Sequence, residues 1–187
     1  MRLVQKFNTR GKRQGFTLVE VMIALTVVSV AVYMLSSTIT ATMVHSSARK
    51  ERTLSVETAM NVLEHMRAVP FEELYVLYND NPDDDPDGPG TAPGSTFAVP
   101  GLNPREGAAA VGTVLLPSLD GKLRENLNIP ELSLPRDLNG DLVIDAVDHA
   151  EDYKVLPVQI LVEWTGSSGA GHLKMSSMFS AVQKQLQ

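Results

Sequence analysis

From Val21 to Val44 the chain carries 24 consecutive residues without a charge. As a helix rising about 1.5 Å per residue, that run reaches about 36 Å, enough to cross a hydrocarbon core of about 30 Å. The fifteen residues before Phe16 hold Arg2, Lys6, Arg10, Lys12 and Arg13 and no acid. A basic flank stays on the cytoplasmic side, so residues 16–44 are expected to span the inner membrane once, N-terminus inside, with the remainder exported. Glu20 breaks the pattern. A carboxylate inside an apolar segment costs a few kcal/mol and usually faces a partner.

Gly15-Phe16-Thr17-Leu18-Val19-Glu20 follows the short basic leader and opens the long apolar helix. This arrangement resembles the prepilin leader of type IV pilins and type II secretion pseudopilins. The resemblance implies cleavage by a prepilin peptidase between Gly15 and Phe16. It also implies N-methylation of Phe16 and an assembly role for Glu20, the fifth residue of the mature chain. In a filament core with little water, an unpaired carboxylate is costly, and a neighbouring subunit's amino terminus supplies the counter-charge. An ordinary secretory signal has a shorter apolar core and an A-x-A-like cut site, and a plain anchor leaves Gly15, Phe16 and Glu20 unexplained.

No Pro or Gly interrupts Phe16 to Val69, so one helix is expected over those 54 residues, about 81 Å long. Its exported part, 45–69, carries Ala48, Val56, Ala59, Met60, Leu63 and Met66 at helical spacing, a stripe suited to packing beneath a head domain. Arg49, Glu51, Glu57, Glu64 and Arg67 occupy the other faces. Pro70 begins a second short helix whose buried side takes Leu74, Leu77 and Tyr78. The stretch from Ala59 to Leu74 is also similar to the helix exit of minor pilins and pseudopilins.

The head, 70–187, opens with an acidic loop at 79–94. Asp83, Asp85, Asp87 and Gly88 give half a calcium-loop pattern, but its twelfth position is Gly94, so a solvated loop is expected. Thr96–Val99 and Val111–Leu116 read as short strands, with prolines limiting their neighbours.

Residues 137–148 read DLNGDLVIDAVD. Oxygen-bearing side chains fall at loop positions one, three, five, nine and twelve: Asp137, Asn139, Asp141, Asp145 and Asp148. Position seven is Val143, whose backbone carbonyl is available, and position eight is Ile144, apolar and able to pin the loop to a core. Calcium takes six to eight hard oxygens, which this alternation supplies from one wrapped segment. The stretch is similar to EF-hand and dockerin loops, and calcium is the expected cofactor. Leu142 stands at position six, where the backbone is normally left-handed and a non-glycine residue costs roughly 1–2 kcal/mol. Pro135 argues against an entering helix; Ala146–Tyr153 is the candidate exiting helix.

Residues 153–182 read as a terminal hairpin. Leu156, Val158, Ile160, Val162 and Trp164 alternate onto one face, with Gln159 and Glu163 on the other. Gly166–Gly171 is the turn, and Leu173, Met175, Phe179 and Ala181 line one side of the returning strand. Pro157 suggests a sheet edge or strand end.

The expected fold is therefore α+β, a long N-terminal helix running into a small head with a few antiparallel strands. The resemblance implies a minor pilin (PilV-like) or minor pseudopilin. Its partners would be prepilin peptidase, other pilin or pseudopilin subunits, the inner-membrane assembly machinery and, before assembly, the membrane. Its final place would be a periplasmic or surface filament. A type IV pilus and a type II secretion pseudopilus both satisfy the motif. The alternative is a membrane-anchored calcium-binding surface protein or adhesin outside any filament. His45, His65, His149 and His172 are spread through the sequence, and no Ser/His/Asp, P-loop or zinc motif appears, so an enzyme is not expected. The full chain's net charge is -6; removing the leader leaves 11 basic against 22 acidic residues. Nucleic acid is therefore not an expected ligand.

Overall fold

The computed structural model describes residues 15–181, so the basic leader before Gly15, and Val182 of the hairpin, lie outside the described residues. Helix α1 runs Leu18–Ala68 and ends two residues before Pro70, whose ring disfavours helical backbone in the residue preceding it. The chain divides into two compact units between Met43 and Val44. In the first, the apolar side chains of α1 are exposed all round, and this helix is long and apolar enough to cross a membrane. Thr26, Ser29, Thr38, Thr40 and Thr42 return their hydroxyls to carbonyls four residues back, which satisfies those donors within the helix.

The second unit contains the rest of α1 and the head. Ala59, Leu63 and Met66 are buried as expected, with Val56 and Ala48 half-buried. Met60 is 53% exposed and leaves the stripe. Ser55 is fully buried and takes a core position, its hydroxyl donating to the Arg52 carbonyl at 2.8 Å. After Pro70 the chain makes a 3-10 turn at Phe71–Glu73 and a short helix α2, Leu74–Tyr78. Leu74 and Tyr78 are buried; Leu77 is half-buried, and Tyr75 is the more deeply buried residue.

Seven short or long strands follow: β1 Thr96–Phe97, β2 Asn103–Pro104, β3 Gly112–Leu115, β4 Ser118–Leu119, β5 Lys122–Leu123, β6 Val155–Gly166 and β7 Gly169–Ser180. β6 and β7 pair antiparallel along their full length. β3 and β2 pair with successive segments of β6, and β1 adds to β3. β4 and β5 form a separate ribbon across Asp120-Gly121, both at positive φ, the geometry that an Asp-Gly hairpin turn adopts.

This is the α+β arrangement that the resemblance implied. The hairpin turn is tighter than expected. Gly166 pairs with Gly169, so only Ser167 and Ser168 lie between the strands, and β7 begins at Gly169 rather than His172. β6 is a central strand, not an edge. Pro157 is tolerated because β3 reaches only Gln159, leaving Pro157 opposite β7 alone.

Leu156, Val158, Ile160, Val162 and Trp164 all face the core with Ala59, Leu63 and Met66. On the other face Gln159 is also buried and donates to Ser176 Oγ at 3.2 Å. The short turn Pro130–Leu132 contacts β6, and its Glu131 lies 3.8 Å from Lys174 of β7.

Glu51 of α1 is not a solvated surface acid. Its Oε1 accepts from the Ser167 amide at 2.9 Å and from the Ser167 hydroxyl at 2.6 Å, and its Oε2 accepts from Trp164 Nε1 at 3.2 Å. These bonds, the Ser167 hydroxyl foremost, hold its carboxyl below the ordinary glutamate value. Glycine is required on both sides of this contact: a Cβ on Gly166 would fall on Glu51 Oε2, and one on Gly171 would enter the Trp164 ring.

Candidate functional site

At the N-terminal end of the described chain, Gly15 and Phe16 are exposed and precede the first helical residue, Leu18. Thr17 caps the helix: its Oγ1 accepts from the Glu20 backbone amide at 3.2 Å. Thr17-Leu18-Val19-Glu20 is thus a Thr-x-x-Glu sequence with one half of a capping box formed, and the Glu20 carboxylate sits in the first turn, where the helix dipole favours it. The scissile bond expected between Gly15 and Phe16 therefore lies in exposed, non-helical chain just ahead of a capped helix.

In the head, the loop 137–148 is built from consecutive side-chain-to-backbone bonds. Asp137 accepts from the amides of Gly140 at 2.5 Å and Leu142 at 2.8 Å. Asn139 Oδ1 accepts from the Asp141 amide at 3.0 Å, and Asp141 Oδ1 from the Val143 amide at 2.7 Å. Each bond folds the chain back around its own oxygen, as Asx turns do. Desolvation pushes the Asp137 carboxyl up, but the amides of Leu142, Gly140, Asp141 and Asn139 together hold it below the ordinary aspartate value. Leu142 stands at φ 71, the left-handed backbone expected at position six.

The second half of the loop is arranged differently. Asp145 Oδ1 accepts from the Val147 amide at 2.7 Å and lies 3.2 Å from His149 Nε2. Asp148 Oδ1 accepts from the amides of Leu123 at 3.1 Å and Ala150 at 3.2 Å. Asp148 also lines an open cleft with Asp80, Asn81, Asp120 and Lys122. Asp137, Asn139 and Asp141 thus bond amides within the first half of the loop, while Asp145 and Asp148 turn toward separate partners. Ile144 is 49% exposed and does not pin the loop. No exiting helix forms among these residues: Asp145 and Asp148 bond local amides instead, and only one turn closes, His149 accepting from Asp152 and Tyr153.

What pins the loop is Glu125, just after β5. It is fully buried, and its Oε1 accepts from the amides of Leu138 at 2.5 Å and Asn139 at 3.2 Å. The Leu123 carbonyl accepts from the His149 amide at 2.9 Å, fastening the far end of the loop to the same strand. His149 is 4% exposed; its Nδ1 meets Asp152 Oδ1 at 3.0 Å, and Asp152 Oδ2 accepts from Asn139 Nδ2 at 3.0 Å. Burial alone would lower the His149 value, but the bonds to Asp152 and Asp145 and the Glu125 charge raise it above the ordinary imidazole value. The Asn139 side-chain amide, and after it His149, hold Asp152 below the ordinary aspartate value against the opposing desolvation. Sequence spacing passed over Glu125 because it lies outside the loop. The available signal was a lone acid between strand β5 and the loop.

Below this network, Tyr153 joins the helix exit to the loop. Its hydroxyl donates to the Phe71 carbonyl at 2.5 Å and accepts from the Tyr75 amide at 3.3 Å, and the Phe71 and Tyr153 rings lie 4.8 Å apart. The acidic loop 79–94 is tied down rather than free. Asn79 donates to Asp84 Oδ2 at 2.8 Å, Asp85 Oδ2 accepts from the Ala92 amide at 3.1 Å, and the Gly94 amide bonds the Leu77 carbonyl at 3.0 Å.

Residues 10–35 match the family model of the prokaryotic N-terminal methylation motif, the prepilin-type leader of type IV pilins and pseudopilins. The chain matches no curated protein and no solved structure. The motif supports a type IV pilin-like protein, and with it a structural subunit that prepilin peptidase processes and that assembles with other pilins. Together with the apolar helix, it points to membrane anchoring.

Proposed function

We propose that the chain is a minor pilin or minor pseudopilin, cleaved between Gly15 and Phe16, N-methylated on Phe16, and inserted into a type IV pilus or type II secretion pseudopilus. The observation that carries this reading is the methylation motif at residues 10–35 running directly into the capped apolar helix α1 with Glu20 in its first turn. Glu20 then has two successive tasks. Before assembly its carboxylate sits at the positive end of its own helix. In a filament it meets the amino terminus of a neighbouring subunit, and the pairing sets the subunit's axial register.

Mass spectrometry of the mature N-terminus tests the processing step. Methylated Phe16 is the expected result; retention of Met1 in cells that express the peptidase overturns it. The alternative, a calcium-binding anchored surface protein or adhesin outside any filament, requires no cut at Gly15.

We further propose that the loop 137–148 takes a structural calcium ion. What supports this reading is the local fold of the first half of the loop, where Asp137, Asn139 and Asp141 bond amides two to five residues ahead and Leu142 has the left-handed backbone of a sixth position. Val143 would add its carbonyl, and Asp145 and Asp148 would leave their present partners to complete six oxygens. The ion would stiffen a head segment and take no part in catalysis. Calorimetry with calcium on the full chain in detergent should give one event that Asp141→Ala removes; equal heats from both proteins overturn the assignment.

A further inference from the structure

Glu125 is fully buried, and its Oε2 has no hydrogen-bond partner among the described residues. That oxygen is aimed at His149 Nε2, 3.8 Å away, and His149 is itself 4% exposed. Asp145 Oδ1 stands 3.2 Å from the same nitrogen, and the ligand atoms of all three residues lie within 4.8 Å of one another. A proton on Nε2 would serve Asp145 and leave Glu125 Oε2 beyond hydrogen-bond reach. A metal ion would serve all three. Ligands about 2.0–2.2 Å from a tetrahedral zinc ion lie about 3.3–3.6 Å apart, and the 3.8 and 3.2 Å from His149 Nε2 to Glu125 Oε2 and Asp145 Oδ1 bracket that spacing.

The surroundings match a metal centre as well. His149 Nδ1 meets Asp152 Oδ1 at 3.0 Å, which fixes the ring and directs the Nε2 lone pair inward, the carboxylate–histidine–metal relay. The backbone fixes the distances independently of any ion, through the His149 amide on the Leu123 carbonyl and through Glu125 Oε1 on the Leu138 and Asn139 amides. The chain has no cysteine, so the donors are one imidazole nitrogen and two carboxylate oxygens. Asp145 is 40% exposed at its side chain, and that open side admits a water as fourth ligand.

We propose that Glu125 Oε2, a carboxylate oxygen of Asp145 and His149 Nε2 form a zinc-type divalent-metal site behind the loop 137–148. The ion supplies the positive charge that the buried Glu125 carboxylate needs. It locks the loop to strand β5 from beneath, where calcium would act within the loop itself. Asp145 belongs to both ligand sets, so the two sites are coupled through one side chain, yet each retains private ligands.

The full-length chain in detergent, stripped with chelator and then dialysed against Zn2+, should retain one equivalent by elemental analysis. Co2+ in its place should give the visible absorption of a tetrahedral nitrogen–oxygen site. His149→Gln should lose the equivalent, and Asp152→Asn should weaken binding about 10–100-fold, because it removes the carboxylate that orients the imidazole and leaves the three ligands in place. Asp152 is 56% exposed at its side chain, so this variant decides the matter even where His149→Gln fails to fold. A wild-type chain that keeps no zinc, or variants that bind it as wild type does, would overturn the proposal. Asp137→Ala separates the two metals: it should abolish calcium heats and leave zinc retention intact. Zinc lost with calcium intact sinks this site alone, and the reverse sinks only the calcium loop.

Discussion

Leu142→Gly should stabilise the protein, and the size of the gain follows from three quantities. Leu142 holds φ 71, and a non-glycine residue in that left-handed region carries roughly 1–2 kcal/mol of strain. Its side chain is 92% exposed, so replacing it forfeits almost no burial. Glycine adds freedom to the unfolded chain, which costs about 0.4–1 kcal/mol. At the middle of both ranges the net gain is about 0.8 kcal/mol. At about 2–4 °C per kcal/mol for a chain of this size, the melting temperature rises by about 1–4 °C. Circular dichroism melts of the full chain in one detergent, without metal, measure it. Gly140→Ala is the mirror experiment. Gly140 has φ 77, and a Cβ there meets only Lys154 at ordinary contact distance, so that variant should lose a similar amount. A fall in melting temperature for Leu142→Gly would refute the reasoning. Calcium affinity supplies a second check. The turn is already formed without metal, so the strain is carried on folding, and affinity should change by less than about threefold. A gain near tenfold, worth about 1.4 kcal/mol, would mean that the turn forms only around the ion.

Three further outcomes are expected. Tyr153→Phe keeps the ring against Phe71 but strips the Tyr75 amide of its partner, whereas the Phe71 carbonyl still accepts from Leu74; the loss should be about 1–3 kcal/mol by chemical denaturation. The Tyr153 phenol is pushed up to about 12 by burial, so the stability it contributes is full below about pH 10 and fades as pH rises toward 12, and ultraviolet titration should show it ionising late. Glu51→Ala should shift the emission of Trp164, the single tryptophan, and cost about 1 kcal/mol; because the Glu51 value is lowered in the fold, the contact should persist above the ordinary glutamate value and weaken as pH falls through the folded one. Glu20→Ala should insert into the membrane normally and be depleted from sheared filaments; undiminished incorporation would remove the register role.

The methylation motif and the uninterrupted helix are local properties. A leader, an apolar run of sufficient length and an acid at a fixed offset act within one segment, so reading them in order suffices. The alternation from Leu156 to Trp164 was legible for the same reason, since a strand's inward face is set by a two-residue period. The turns made by Asp137, Asn139 and Asp141 are local too, because each bonds an amide two to five residues ahead.

Only the tertiary structure decided the rest. Glu51 resembles any exposed helix acid until the hairpin arrives, Ser167 of its turn bonding one oxygen and Trp164 of β6 the other. Pro157 suggests a sheet edge or a strand end, and the structure picks the end: β7 covers one side of β6 there, and β3 stops short of it on the other. Glu125 carries no motif at all, and its role appears when strand β5 sets it under the loop with His149. The Asp-Gly turn of β4 and β5 was there to be read at Asp120-Gly121. The dividing line is sequence separation. Groups that satisfy one another within a few residues announce themselves by spacing, while a buried charge is explained only by what folding brings to it from elsewhere in the chain.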